Sequence, residues 1–325
     1  MKRFLLSAVV VALAVPVAGQ SPSGSLPGAD VAKAVLATRM TKGFAPPKTP
    51  WGQPNLQGNF THTSEANTPL ERPQVFAGKR IEDVTPGALE AEAKVRMARA
   101  NRERTDHPAY LVDNGFAVST RPWLVIDPAD GKVPPMIPAA KEREAARKAA
   151  EKGRGPADSY TDLALRDRCL LNRGVPDMAI PGPYGNSLQI LQTKDYAVIR
   201  KEQIHDSRII PLDNRPLTGV RTFFGESRGH FEGNTLVVVT TNFNDQIVFY
   251  GSGPDMRTVE RFTRTAPHTV EWTVTVEDPG TWARPWTFTI PLAEDDEQLP
   301  LEYACHEGNY AVPNILTGER AHEKK

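Results

Sequence analysis

Three short runs in this 325-residue chain carry side chains that could do acid–base chemistry. The first is Glu202 followed by His205-Asp206-Ser207-Arg208. Read as one strand, it puts Glu202, Asp206 and Arg208 on one face and His205 on the other. Carboxylates beside a guanidinium can bind a polar ligand, or hold an acid and a base at different pKa values. In that reading Asp206 and either His205 or His306 are base and acid, and Arg208 stabilises negative charge on the substrate. On a solvated face the same residues are an ion-pair ladder, and His205 alone is equally a structural histidine. The second run is Cys305-His306-Glu307. On a strand His306 shares the face of Glu302, opposite Tyr303 and Cys305, and a bridged Cys305 would hold it rigidly. The alternative is a surface histidine at a strand end. The third run holds Arg228 and Glu232, which with Asn242 flank one hairpin. These are ligand-binding groups or turn scaffolding. Trp282 sits in a loop where its ring could stack on a ligand, whereas Trp272 and Trp286 fall on apolar faces.

His205, His230 and His306 with Glu232 could meet at a metal. No ligand spacing within one element supports this, so no metal or other cofactor is expected. The P-loop, nucleophile-elbow, zincin and dinucleotide-binding signatures are missing from the sequence.

The elements that must position these residues change character along the chain. Residues 20–50 read as a flexible Pro-, Gly- and Ala-rich linker with a short helix from Ala29 to Met40. Residues 51–183 read as an extended and helical arm, with Trp51, Leu56 and Phe60 as packing points. Thr85-Pro86 opens a helix towards Arg104, since a hydroxyl N-cap precedes Pro at the first helical position. Pro138 to Lys152 is a second helix, almost wholly charged or Ala and therefore solvated. After Pro183 the hydrophobic period becomes two. Val270, Trp272, Val274 and Val276 alternate with Glu271, Thr273, Thr275 and Glu277, and Trp286, Phe288 and Ile290 alternate with threonines. Leu188–Gln192, Val198–Ile204, Leu236–Thr241 and Leu301–His306 read the same way. Turn residues separate the strands, as at Glu232-Gly233-Asn234 and Asp278-Pro279-Gly280. About eight antiparallel strands in hairpin order predict a mainly β domain over 184–325, a lipocalin-like barrel or a sandwich.

The N-terminus predicts secretion. Lys2 and Arg3 precede an apolar run from Phe4 to Val15, and Val17-Ala18-Gly19 offers a cleavage site before Gln20, so residues 1–19 read as a signal peptide. The run is shorter than the roughly 20 residues a spanning helix needs. No membrane insertion is expected after cleavage. Lys plus Arg equals Asp plus Glu at 39 each, which disfavours nucleic acid as a partner. Two cysteines in an oxidising compartment predict a Cys169–Cys305 disulfide, with two buried thiols as the alternative. Closing a loop of about 137 residues is worth up to about 4–5 kcal/mol in the chain-entropy model.

Several motifs resemble a widespread family of secreted bacterial β-rich proteins to which no activity is attached. They are Trp51-Gly-Gln-Pro-Asn-Leu-Gln-Gly58, Thr68-Pro-Leu-Glu-Arg-Pro73, Val125-Ile-Asp-Pro-Ala-Asp-Gly131 and Ile204-His-Asp-Ser-Arg-Ile-Ile-Pro-Leu-Asp213, with Gly225-Glu-Ser-Arg-Gly-His-Phe-Glu-Gly-Asn-Thr-Leu-Val238. Val259-Glu-Arg-Phe-Thr-Arg264, Val276-Glu-Asp-Pro279 and Glu302-Tyr-Ala-Cys-His-Glu-Gly-Asn-Tyr310 complete the set, which covers nearly the whole mature chain. Phe231 stands where the pattern has Trp, and Val239 where it has Asp. The resemblance implies a secreted β-rich protein, often from organisms that degrade environmental organic matter.

Two functions fit these readings. One is an extracytoplasmic enzyme acting on a small molecule by acid–base chemistry, a lyase, isomerase or hydrolase with His205, Asp206 and His306 catalytic. Glu202, Arg208, Arg228, Glu232, Trp282 and Glu307 would then bind substrate. The other is a non-catalytic periplasmic barrel that binds a small ligand.

Overall fold

The computed structural model describes residues 27–103, 119–171, 174–182, 184–205, 207–297 and 299–323. The expected signal peptide and Asp206 lie outside the described residues, as does the side chain of His205. The chain is mainly β, with ten strands in one antiparallel sheet. These are β1 (Gly58–Thr61), β2 (Val125–Asp127), β3 (Ser187–Gln192), β4 (Tyr196–Lys201), β5 (Ser207–Pro211), β6 (Glu226–Glu232), β7 (Thr235–Thr241), β8 (Arg257–Ala266), β9 (Thr269–Glu277) and β10 (Trp286–Glu294). Nine of them follow the order β5-β4-β3-β1-β10-β9-β8-β7-β6, and β2 adds to β10 beside β1. The path curls until its two ends face each other, giving a nearly closed barrel. Gly229 of β6 allows the approach, since a Cβ there would lie 2.8 Å from Leu212 and 2.9 Å from Ile210.

The alternation read from the sequence decides which side chains fill the barrel. Val270, Trp272, Val274 and Val276 of β9 are all buried, as are Trp286, Phe288, Ile290 and Leu292 of β10. Phe262 and Trp272 stack at 4.9 Å. The lumen is therefore a packed side-chain core, as small barrels have.

The opposite faces of β8–β10 are not solvated. Glu271, Thr273, Thr275, Thr287 and Thr289 are buried as completely as their apolar neighbours. Their hydroxyls satisfy one another across strands, Thr275 with Thr287 at 3.0 Å and Thr273 with Thr289 at 3.3 Å. The N-terminal segment covers them. Helix α1 (Ala29–Arg39) lies within the stretch expected to be linker and is fastened at both ends. Arg261 Nη1 donates to Pro27 O at 3.0 Å, and Thr41 N–H donates to Thr265 O at 2.9 Å. Gly28 turns into α1 at φ +73°, so close to β9 that a Cβ would meet Thr275 Oγ1 at 2.1 Å. Only glycine satisfies both the left-handed backbone and the approach.

Helix α2 (Pro86–Glu103) starts where Thr85-Pro86 predicts, and the Thr85 hydroxyl accepts the Ala88 N–H at 3.3 Å. Helix α3 (Pro138–Glu151) buries only Ala140. The segment 51–183 does more than wrap the barrel, because it supplies β1 and β2.

Two expected strands differ. Val198–Ile204 is cut at Lys201. The chain turns through Gln203–His205, with Ile204 at φ 53°, before β5 begins at Ser207. Glu202 and Arg208 therefore sit on opposite sides of a hairpin, not on one strand. Leu301–His306 is not a strand: residues 301–304 have no regular structure and 305–308 form a turn. Leu301 is 70% exposed. Its alternation finds no edge to pair with, since β5 and β6 already face each other. Helix α4 (Ala311–His322) follows and buries none of its residues.

Cys169 and Cys305 form a disulfide with Cα atoms 5.7 Å apart. Cys169 is buried, and Cys305 is half-buried near the surface. Among the described residues, no helix is long and apolar enough to cross a membrane.

Candidate functional site

The residues singled out by sequence do not gather in one place. Arg208 points into the barrel from β5 and is sealed there. Its guanidinium forks onto Glu260 of β8, Nη2 to Oε2 at 2.6 Å and Nη1 to Oε1 at 3.0 Å, with both side chains at most 1% exposed. Nη2 also donates to Ser227 and Thr240. Met178 covers the pair from a mouth of the barrel, its Sδ 3.6 Å from Nη1. Glu202 is half-buried beyond the end of β4, where its N–H donates to Ser187 O. His306 and Glu307 lie exposed in the turn after Cys305. Trp282 is buried, its Nε1 donating to Ser252 at 2.7 Å and its ring edge-on to Trp286. It is a core residue, not a free loop aromatic. His230 and Glu232 pair with each other at 3.1 Å on the exposed end of β6. Among the described residues, no three His, Cys, Asp or Glu side chains are placed to hold a metal.

Arg228 and Asn242 meet at Glu226, in the scaffolding alternative of the sequence reading. The Glu226 carboxylate accepts from Thr218 N–H at 2.7 Å, Arg228 Nη2 at 2.8 Å, Asn242 Nδ2 at 3.0 Å and Gly219 N–H at 3.1 Å. Burial alone would push this carboxyl up. The bonds from Thr218, Asn242, Gly219 and Arg228 outweigh it and hold the group at about 2.

The feature that sequence reading missed is a cleft of about 510 Å³ on the outside of the barrel. Its walls are α1, the turn at 80–84, the first turn of α2 and the strand-like stretch 120–126, and Thr289 of β10 lies at its base. The same buried polar face of β9 and β10 builds its floor. Glu271 reaches up from β9 and accepts from Thr289 Oγ1 at 2.5 Å and from Arg121 Nη2, at 2.8 Å on Oε1 and 2.7 Å on Oε2. Arg121 is 97% withdrawn from solvent. Both of its hydrogen bonds leave from Nη2, and its buried Nε has no partner. A second guanidinium, Arg39 at the end of α1, lines the same cleft half-buried. Burial first, and then the charge of Arg121, lowers its pKa, against the opposing pull of Glu271, Glu65 and Glu82. Among the described residues, Arg39 has no ion-pair partner within 4.0 Å.

A half-buried arginine without an ion pair, beside one with an uncommitted buried nitrogen, can accept an anion without breaking an existing pair. Apolar side chains, Val31, Val35, Ile81, Val84, Leu89 and Pro122, form the remaining walls. The recess beside Cys305, about 500 Å³, lacks this character, since its Arg166 pairs with Asp167. One sequence signal pointed to the cleft. On the polar face of β9 Glu271 is set between Thr269, Thr273 and Thr275, with Glu277 only at the strand end, and a carboxylate inside a threonine row marks a buried partner. The partner, Arg121, is 150 residues away in sequence and invisible to spacing.

The fold and this cleft define a nearly closed antiparallel barrel with an outboard site between the barrel wall and its own N-terminal arm. No family model, curated protein or solved structure matches the chain.

Proposed function

We propose that this chain is a secreted, extracytoplasmic protein that binds a small molecule in the cleft between α1, α2 and the outer wall of the barrel. The observation that carries the reading is Arg121, almost wholly buried with an unpartnered Nε, lining an open cleft beside Arg39. An unsatisfied buried guanidinium nitrogen costs on the order of 1–3 kcal/mol, which a ligand's acceptor would recover. The signal-peptide pattern at residues 1–19 and the disulfide support the extracytoplasmic setting. The acid–base reading loses support where Arg208 is concerned. The group assigned to stabilise substrate charge is locked onto Glu260 inside the core.

The reading is tested with mature protein and a steric block. Ala34 is exposed on the cleft wall, so Ala34→Trp fills the cleft without touching the barrel core. Native mass spectrometry and thermal shift should detect small-molecule adducts on the wild type and lose them in Ala34→Trp, with the compounds recovered unchanged. Conversion of the bound compound would favour the enzyme, and adducts that survive Ala34→Trp would place binding elsewhere. Protein exported by a bacterial host should begin near Gln20; retention of Met1 would remove the secretion claim.

A further inference from the structure

Resting on that reading of the cleft, we infer that its ligand is an amphiphilic monocarboxylate: one carboxylate at Arg39 and Arg121, with an apolar body along Val35, Ile81, Val84 and Leu89. The cleft has two unlike ends. Thr38, Thr120 and Thr289 line the cleft as well, but their hydroxyls already donate to Val35 O, Glu65 and Glu271, which leaves the guanidiniums as the donors for an anion. Apart from Arg80 and Glu82 the rest is apolar, and a volume of about 510 Å³ falls in the roughly 300–1,000 Å³ range of small-molecule sites. Water in such a cleft hydrates the half-buried Arg39 but leaves the aliphatic wall wet. A neutral apolar ligand covers the wall and strands the arginines. Only a molecule with both parts satisfies both ends.

The charge count selects the head group. Arg121 is already paired with Glu271 at 2.7 Å. Arg80 on the rim is engaged by Asp83 and Glu82, at 3.3 and 3.8 Å. That leaves Arg39 as the cation without a close partner, beside the carboxylates of Glu82 and Glu65, which act on it electrostatically. The charges around the cleft leave no positive surplus, so Arg39 offers a single free guanidinium fork, which one carboxylate fills. A phosphate monoester, carrying about −1.5 to −2 near neutral pH, would bring the second charge against Glu82 and Glu65. The planar guanidinium fork also matches a carboxylate in two parallel hydrogen bonds.

Isothermal titration calorimetry with decanoate, decanol and decyl phosphate, each below its aggregation concentration, tests this on the wild type, Arg39→Met and Ala34→Trp. Arg39 is half-buried and holds no ion pair, so Arg39→Met orphans no buried carboxylate. Decanoate should bind the wild type at least tenfold more tightly than decanol or decyl phosphate, and about three- to fourfold more tightly for each added CH₂ across octanoate, nonanoate and decanoate. Arg39→Met should erase the preference for decanoate and keep decanol binding, whereas Ala34→Trp should abolish both. If decanol binds as well as decanoate, or Arg39→Met keeps the preference, the carboxylate is overturned while the cleft remains the binding site. Tighter binding of decyl phosphate overturns the monoanion in the same way. If no probe binds the wild type, or Ala34→Trp changes nothing, the cleft reading itself falls.

Discussion

Arg208 and Glu260, both at most 1% exposed, place a full ion pair in a barrel core of Val, Ile, Phe and Trp side chains. Desolvating each charge costs several kcal/mol, which only a well-formed pair with further hydrogen bonds offsets. The fork from Arg208, together with Ser227 and Thr240, supplies those bonds at its two terminal nitrogens, while its Nε has no partner. The sequence made Arg208 conspicuous as a charge in an apolar strand. It did not name Glu260, because the two are 52 positions apart and β8 is buried on both faces, so parity there carries no hydrophobic contrast. Removing one partner should therefore cost far more than removing both. Arg208→Met strands the Glu260 carboxylate, and urea unfolding should show a loss of about 3–5 kcal/mol. Arg208→Met with Glu260→Leu should recover most of it. A single variant as stable as the wild type would mean that the carboxylate takes up a proton or finds another donor at little cost.

At the scale of elements, strand positions were legible wherever an apolar face alternated with a polar one, as in β9 and β10. Two things were not. The alternation of Leu301, Tyr303 and Cys305 is as clean as that of Trp286, Phe288 and Ile290, yet only the latter has neighbours to bond with. Period two specifies a strand only where a sheet edge is available. Sequence pattern does not reveal what lies on top of the polar faces of β9 and β10, and α1 with the 119–126 stretch lies there. The cleft exists because of that second layer, which is why the sequence could not place it.

The β6–β7 hairpin shows how a single carboxylate fastens an irregular connection to regular structure. Glu226 holds the loop at Thr218 and Gly219 to β6, while Arg228 takes the carbonyls of Arg215 and Pro216. Its folded pKa of about 2 lies below the ordinary 4.5. The stabilisation is thus fully present above about 4.5 and is lost as pH falls from there towards about 2. Glu226→Gln keeps the shape and removes the titration. The stability gap between wild type and Glu226→Gln, measured by thermal midpoint from pH 6 to pH 2, should be widest above about 4.5 and shrink towards about 2. A gap that stays constant across that range would assign the loop's anchoring to Arg228 alone.

For the whole molecule, the disulfide shows how a correct pairing can carry an incorrect energy. The chain-entropy figure of about 4–5 kcal/mol for so long a loop assumes that both cysteines belong to the cooperative fold. Cys169 does, being buried near the mouth of the barrel. Cys305 does not. It leads a tail in which Leu301 and Tyr310 are each 70% exposed and α4 buries nothing. Beyond the bridge, the tail is held by contacts such as Asn309 Nδ2 to Cys169 Sγ and Arg320 to the carbonyl of Asp158. Without the bridge such a tail would be loose in the native state as well as the unfolded one. The bridge then constrains both states, and much of the entropic advantage cancels. The Cys169→Ser, Cys305→Ser double variant should therefore keep a barrel close to wild-type stability, well short of the full loss of about 4–5 kcal/mol in urea. Its residues 299–323 should become rapidly cleavable by trypsin and lose amide protection. The opposite result, a barrel weakened by the whole entropic term beneath a tail that still resists trypsin, would mean that the C-terminal segment folds as part of the barrel and owes its order to packing.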